Sequence, residues 1–217
     1  MTKTKIMIVD DHPIFRAGLA NLIGRDERYS VVSEAAGMTE AMDLLKANLP
    51  QLVLVDLTLS EGSGLQFIKR LHAHDSAIKI LVVSMHDDKI YAERSLRAGA
   101  HGYINKEQAA SKLIGAIEDV MRGSIYLDPD IAAHIVQRRT HHGDRLVERP
   151  EAALTDRELE VFTLMGRGIS STEIANQLCL SPKTVGSHRD HIKKKLGIQK
   201  NSELMQRAVA WVLTVGD

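Results

Sequence analysis

The sequence predicts an α/β domain, a doubly wound parallel sheet of five strands, followed by an all-α domain of four helices. Three observations carry this. Short, nearly continuous aliphatic runs recur up to about residue 105, with helix-period segments between them; that alternation builds a parallel sheet with crossover helices. From about residue 154 onward no such run remains. Between the two regimes, RRTHHGDRLVERPEAA at 138–153 is polar, charged and without apolar periodicity, the composition of a linker. The expected organisation is one domain over 1–123, an interdomain segment over 124–153 and a second domain over 154–217. Ser124 to Val136 fits either a helical extension of the first domain or the structured start of the linker, and periodicity does not decide between them.

The strands and their punctuation run as follows along the chain. IMIV at 6–9 is the first strand and ends abruptly in Asp10 and Asp11, with His12 and Pro13 next. Pro13 sits just inside the first helix, where its missing N–H costs nothing. VVSEAA at 31–36 is the second strand, LVLV at 52–55 the third, ILVVS at 80–84 the fourth and GYIN at 102–105 the fifth. Gly64 marks the opening of the third helix, and Ala98-Gly99-Ala100 stops the fourth. The runs are β-branched and almost uninterrupted, as in strands covered on both faces.

Composition sets outer limits. The 217 residues carry 28 basic and 28 acidic side chains and are 44% apolar, enough for an ample core in one or two domains. Neutral overall charge excludes no partner, because a basic face can be offset elsewhere. The start leads through only a few apolar residues to Asp10, too short for a signal sequence, and no stretch approaches the ~20 apolar residues of a membrane span. The cytoplasm is the expected location. The single cysteine, Cys179, excludes an internal disulfide and is read as a small core residue. His141-His142 has no third ligand nearby and is read as solvated chain.

In an open parallel sheet, ligands bind outside the carboxyl ends of the strands. Asp10 and Asp11 end the first strand, Asp56 the third and Ser84 the fourth, while Lys106 follows the fifth. All five therefore gather at one edge. Any one acid there could be a solvated loop residue or a helix cap. Three packed carboxylates, however, repel one another and hold raised pKa values unless a cation neutralises them. A hard divalent ion is the natural partner, and Mg²⁺, which keeps waters and needs few carboxylates, suits the set better than Ca²⁺.

Asp10-Asp11, Asp56, Ser84 and Lys106, spread over the first 120 or so residues, resemble the receiver domain of two-component response regulators. The resemblance implies strand order 2-1-3-4-5 and makes Asp56 the acceptor of a phosphoryl group from a histidine kinase. It implies that Asp11, Asp56 and the backbone carbonyl of Thr58 hold Mg²⁺, with Asp10 acting mainly through water. Lys106 and Ser84 would then bind phosphoryl oxygens. Tyr103 would be the aromatic switch, and Thr58 and His86 would tune the phosphoryl lifetime. The chain departs from the family pattern at Leu59-Ser60, where Met-Pro is usual, and at Glu107, where Pro often follows the lysine.

The second domain has its own punctuation. LTDRELEVFTLMGRG opens with a capping box, Thr155 with Glu158, and SSTEIANQLCL repeats the device with Ser170 and Glu173. SPKTVGSHRDHIKKKLG places Ser181 as cap and Pro182 at the first helical position, and stops at Gly197. Two short helices joined by a tight turn, Leu178 to Ser181, are a helix-turn-helix. Helical projection sets Val185, His188, Ile192 and Leu196 toward the core, and Lys183, Ser187, Asp190 and Lys194 outward. Over 182–200 six basic residues face one acid, a local net charge of +5. The hidden basic face is here. LTDRELEVF, EIANQLCLSPKTV, His188 and KKLG resemble the LuxR-type helix-turn-helix, and the whole chain resembles a NarL/FixJ-type response regulator.

By position, Ser187 and Asp190 would face bases, while Lys183, Thr184, Lys193, Lys194 and Lys195 would serve the DNA contact and its phosphates. Gly186 and Asp190 depart from relatives, which often carry basic residues there. In SELMQRAVAWVLTV, one stripe holds Leu204, Ala208, Trp211 and Val215. The first three are candidates for the homodimer contact that the family makes on inverted half-sites. The resulting expectation is a phosphorylation-dependent transcription factor with a histidine kinase and double-stranded DNA as partners, no membrane, and no enzymatic turnover. A regulator that binds DNA constitutively is the near alternative. A phosphatase with an aspartyl-phosphate intermediate is the distant one, disfavoured because Thr58 stands where such enzymes carry a second Asp.

Overall fold

The computed structural model describes residues 3–59, 63–140, 150–178 and 180–215. The chain divides into two compact units, Met1–Arg138 and Arg139–Asp217.

In the first unit, β1 (Thr4–Val9), β2 (Tyr29–Ala35), β3 (Leu52–Val55), β4 (Lys79–Ser84) and β5 (Gly102–Asn105) alternate with α1 (Pro13–Gly24), α2 (Met38–Asn48), α3 (Gly64–His74), α4 (Asp88–Ala98) and α5 (Lys106–Met121). The five strands are parallel in the order β2-β1-β3-β4-β5. β2 starts two residues ahead of the apolar run, because Tyr29 is buried and pairs with Thr4. Side chains of alternate residues face opposite ways. Ile6, Ile8, Leu54, Leu81, Val83 and Ile104 pack with Leu19 and Ile23 of α1 and Leu113, Ile117 and Val120 of α5. Met7, Val9, Val53, Val55 and Val82, equally buried, point to the other face. Register decides how the strand ends line up: Val9 pairs with Val55, and Val55 with Val82. Asp10 and Asp56 therefore leave the sheet side by side.

After α5 the chain returns to the sheet. Tyr126 N–H donates to the His101 carbonyl and the Tyr103 N–H donates to the Tyr126 carbonyl, both at 3.0 Å. This one-residue parallel bridge covers the outer edge of β5. Helix α6 (Pro129–Thr140) comes next, burying Ile131 and Ile135. Lys112 of α5 is paired with Asp128 just before it at 2.8 Å. The segment expected as linker thus contains α6 and a short 3-10 helix at Pro150–Ala153. His141 and His142 lie outside the described residues, as do Ser60 and Cys179.

The second unit holds α7 (Asp156–Gly166), α8 (Ser171–Gln177), α9 (Pro182–Leu196) and α10 (Asn201–Val215). Both capping boxes form, Thr155 with Glu158 and Ser170 with Glu173. Ser181 Oγ accepts from the Thr184 N–H at 3.0 Å, and Gly197 ends α9 at a φ of +69°. Leu159, Phe162, Ile174, Val185 and Ile192 are buried together.

Leu204, Ala208 and Trp211 belong to this same core, which corrects their assignment as dimer contacts. α10 lies so close along α7 that a Cβ on Gly166 would stand 2.1 Å from the Ala208 carbonyl oxygen. Trp211 donates its indole N–H to Thr163 Oγ1 at 3.2 Å, with its ring 6.2 Å from that of Phe162. The large apolar residues that α10 leaves exposed are Met205, Val209 and Leu213, and the side chain of Val215 is outside the described residues. Among the described residues no helix is long and apolar enough to cross a membrane.

Candidate functional site

The carboxyl rim of the sheet gathers a charged cluster. Asp10 and Asp56 are both buried, and the Lys106 ammonium, at the first residue of α5, lies 2.8 Å from Asp10 Oδ2 and 2.7 Å from Asp56 Oδ2. Asp11 is half-buried beside them. Burial pushes the Asp56 carboxyl above its usual range, with Lys106 opposing it. Burial likewise pushes Asp11 up, with His12 opposing. One ammonium shared by two buried carboxylates leaves negative charge over, and Asp11 Oδ1 is buried without a hydrogen-bond partner. That donor set, all oxygen and electron-rich, fits a hard divalent cation.

Local backbone holds the acids in place. Asp56 N–H donates to the Val9 carbonyl at 2.8 Å, and the Thr58 N–H donates to Asp56 Oδ1 at 3.2 Å. Gly64 is required by space. A Cβ there would stand 2.3 Å from the Asp56 carbonyl oxygen and 2.5 Å from Leu57 Cα. The start of α3 therefore presses directly on the backbone that carries Asp56. No cis peptide occurs among the described residues, and Lys106–Glu107 is trans.

On the β4–β5 side, Ser84 is fully buried and its Oγ accepts from the His86 N–H at 3.4 Å. Tyr103 is buried, and its hydroxyl donates to the His86 carbonyl at 2.8 Å. Burial raises the phenol well above its ordinary value, Asp88 adds to the effect and a hydrogen bond with Ser84 opposes it. The ring expected to act as a switch lies inside the domain. Thr58 Oγ1 and His86 Nε2 are 3.1 Å apart, so the two residues expected to tune phosphoryl lifetime touch each other. The His86 ring stacks on Tyr91 at 4.5 Å.

Three residues of this rim carry no role in the sequence reading. His12 stands at the N-cap position of α1 without a side-chain cap bond, and its Nδ1 reaches Asp11 Oδ1 at 2.8 Å. Arg16 donates to the Asp10 carbonyl at 2.5 Å, which fixes the loop after β1. Phe15 lies under Lys106, with Nζ 4.5 Å from the ring centroid, a cation–π contact that keeps the ammonium over the acids. The spacing Phe15-Arg16 on the first turn after Asp11 was the available signal, but an aromatic there reads equally well as core.

The basic helix has a different character. Lys183, Ser187, Asp190 and Lys194 are exposed on one face of α9, while Val185 and Ile192 are buried on the other. Thr184 is half-buried, with its hydroxyl 2.8 Å from that of Ser181. Lys193 is paired with Asp190 at 3.0 Å. Lys195 is turned back onto its own domain, 2.6 Å from Glu158 Oε2. There its ammonium secures the α7 cap, while the residue stays exposed. Arg189 ties α9 to α8 through Ser171 Oγ at 3.0 Å.

A sheet domain with a buried acidic rim, followed by a helix-turn-helix with a basic outer face, defines a two-domain signalling protein of the DNA-binding class. Residues 6–118 match the response regulator receiver domain, and residues 152–208 match the bacterial regulatory proteins of the luxR family. The oxygen regulatory protein NreC of Staphylococcus carnosus is 34% identical over 209 residues, covering 94% of this chain and 96% of its own. A two-component response regulator of the LuxR family from an Aurantimonas strain, solved by crystallography, is 38% identical with a TM-score of 0.60, over 64% of this chain and 99% of that one. Salmonella typhimurium RcsB, at 24% identity, covers 97% and 98% of the two chains with a TM-score of 0.76 and shares the fold. This chain belongs to the two-component response regulators of the NarL/FixJ type, transcription regulators that join a receiver to a LuxR-type DNA-binding domain.

Proposed function

We propose that Asp56 is the phosphoacceptor. A carboxylate oxygen forms the new P–O bond as the P–N bond of a histidine kinase's phosphoimidazole breaks, and the leaving imidazole keeps its electron pair and takes up a proton. The observation that carries this reading is the single buried ammonium of Lys106 within 2.8 Å of both Asp10 and Asp56. It is placed to follow the negative charge onto the phosphoryl oxygens. Asp11, Asp56 and the Thr58 carbonyl would hold Mg²⁺, with Asp10 assisting through water. When bound, the ion neutralises charge on the transferring group. Ser84 supplies a hydroxyl to one phosphoryl oxygen, and Tyr103, bonded to the His86 carbonyl, reports that change to β4 and β5. Thr58 and His86, in contact, screen the acyl phosphate from water.

Phosphorylation then shifts the population toward a homodimer that binds inverted half-sites in DNA. Ser187 and Asp190 face base edges, and Lys183, Thr184, Lys193, Lys194 and Lys195 serve phosphates. The dimer contact falls on the outer face of α10, at Met205, Val209 and Leu213, because the inner face is spent on the domain core.

The test treats the full chain with acetyl phosphate and Mg²⁺ and follows it by intact mass, gel filtration and DNA binding. The expected result is one labile phosphoryl adduct, a dimer and tighter DNA binding, all lost in Asp56→Ala. An adduct-free protein, or an adduct that survives Asp56→Ala, overturns the assignment.

A further inference from the structure

His12 is placed as more than a loop residue. Its N–H donates to Asp10 Oδ1 at 2.8 Å, so the backbone turn after β1 directs its ring over the acids. Nδ1 stands 2.8 Å from Asp11 Oδ1, 3.2 Å from Asp10 Oδ1 and 3.6 Å from Asp56 Oδ2, with the Lys106 ammonium 3.5 Å away. Asp11 Oδ1, although that close to a ring nitrogen, has no hydrogen-bond partner. Nδ1 instead hydrogen-bonds Asp10 Oδ1 at 3.2 Å, a bond that an ion seated among these groups would replace. Adjacent ligands on an octahedral ion with bonds of ~2.1 Å are about 3 Å apart, close to the 2.8 Å between Nδ1 and Asp11 Oδ1. One donor atom from each of Asp10, Asp11, His12 and Asp56 falls within 4.8 Å of the others.

We infer that His12 Nδ1 is a nitrogen ligand of the divalent ion held by Asp11 and Asp56, and that it shifts the site's preference from Mg²⁺ toward first-row transition ions such as Mn²⁺. This rests on the reading of the acidic rim as a divalent cation site. Mg²⁺ dehydrates reluctantly and is held by oxygens, so a ring nitrogen adds little to its binding. Transition ions accept imidazole alongside carboxylate. The ligating form carries its proton on Nε2, and His12 is the most exposed member of the group, its side chain 59% accessible. The ring thus stands on the solvent side, where it replaces a water in the coordination shell without disturbing the buried pair of Asp56 and Lys106.

The experiment measures Mn²⁺ and Mg²⁺ affinity of the full chain by titration, together with pulsed electron paramagnetic resonance of the Mn²⁺ complex, for wild type, His12→Ala and Asp11→Asn. Wild type should show nitrogen modulation from one imidazole. His12→Ala should lose that signal and about tenfold in Mn²⁺ affinity, with Mg²⁺ affinity changed less than twofold. Asp11→Asn should lose both ions. If Mn²⁺ binds wild type but not Asp11→Asn, and shows no nitrogen coupling or an unaltered Mn²⁺ to Mg²⁺ ratio in His12→Ala, the role of His12 is refuted while the cation site stands. A gain in affinity for both ions in His12→Ala makes the ring a competitor and also refutes it. Absence of any ion that depends on Asp11 overturns the cation site itself.

Discussion

Two lysine–carboxylate pairs of almost equal length sit in the two domains and behave in opposite ways. Lys106 and Asp56 are 2.7 Å apart with side chains 6% and 2% exposed, whereas Lys195 and Glu158 are 2.6 Å apart at 35% and 5%. In the receiver, burial dominates and the acid is pushed up. In the second domain burial also pushes Glu158 up, but the Lys195 bond and the Thr155 cap outweigh it, and the acid ends below its ordinary 4.5. The difference is what surrounds the pair. Lys106 is divided between two buried carboxylates, while Glu158 collects a lysine and a helix N-terminus for itself. The first arrangement is kept short of positive charge, which suits it to the cation site proposed above. The second is satisfied and holds a helix.

The sharpest way to break the comparison is to remove each lysine. Lys106→Ala strands Asp10 and Asp56 in the core, and chemical denaturation should show the receiver losing on the order of 3–5 kcal/mol. A loss no larger than that of a surface mutation would mean that water already reaches the acids. Lys195→Ala should cost about 1 kcal/mol or less, read in the second domain alone by the fluorescence of Trp211, the chain's single tryptophan.

Acidity sharpens it further, because the signs differ. The depressed Glu158 contributes stability that is present above its unfolded value of 4.5 and lost as pH falls through the lower folded value. Trp211-monitored stability should fall in that window, and Glu158→Gln should flatten the fall. Asp56, being raised, contributes stability present below its unfolded value of 3.8 and lost as pH rises through the folded value. Asp56→Asn should accordingly raise the receiver's calorimetric midpoint in metal-free buffer at neutral pH. An unchanged or lowered midpoint would place the acid's stabilising partners ahead of its burial.

The smallest expected effect lies on α9. Asp190 is exposed and paired with Lys193, so Asp190→Ala should release that lysine and raise non-specific DNA affinity roughly threefold, with weaker base preference. Equal loss of affinity on every sequence would count against a base-facing role.

Much of this was legible in the chain because strands covered on both faces carry apolar runs that end where the sheet ends. Asp10, Asp56 and Lys106 each follow such a run, so their gathering could be read without coordinates. The caps of α7, α8 and α9 were legible for the same local reason. What could not be read depends on partners distant in sequence. A stripe such as Leu204, Ala208 and Trp211 announces that it will be buried but not by what, and α7 claims it first. Lys195 looks like any lysine at a helix end until Glu158 is found 37 residues away. His12 and Phe15 take their meaning from Lys106, which arrives about 90 residues later, after the edge strand β5.

The Tyr126 bridge bears on how molecules of this chain meet. A sheet of five strands has two rims, and an uncovered rim is a template on which another chain can build. Residues returning from α5 cap the β5 rim with two backbone hydrogen bonds, leaving β2, whose Ser30, Ser33 and charged Glu34 make poor seeds for aggregation. Crowded copies are thereby steered away from strand-to-strand association.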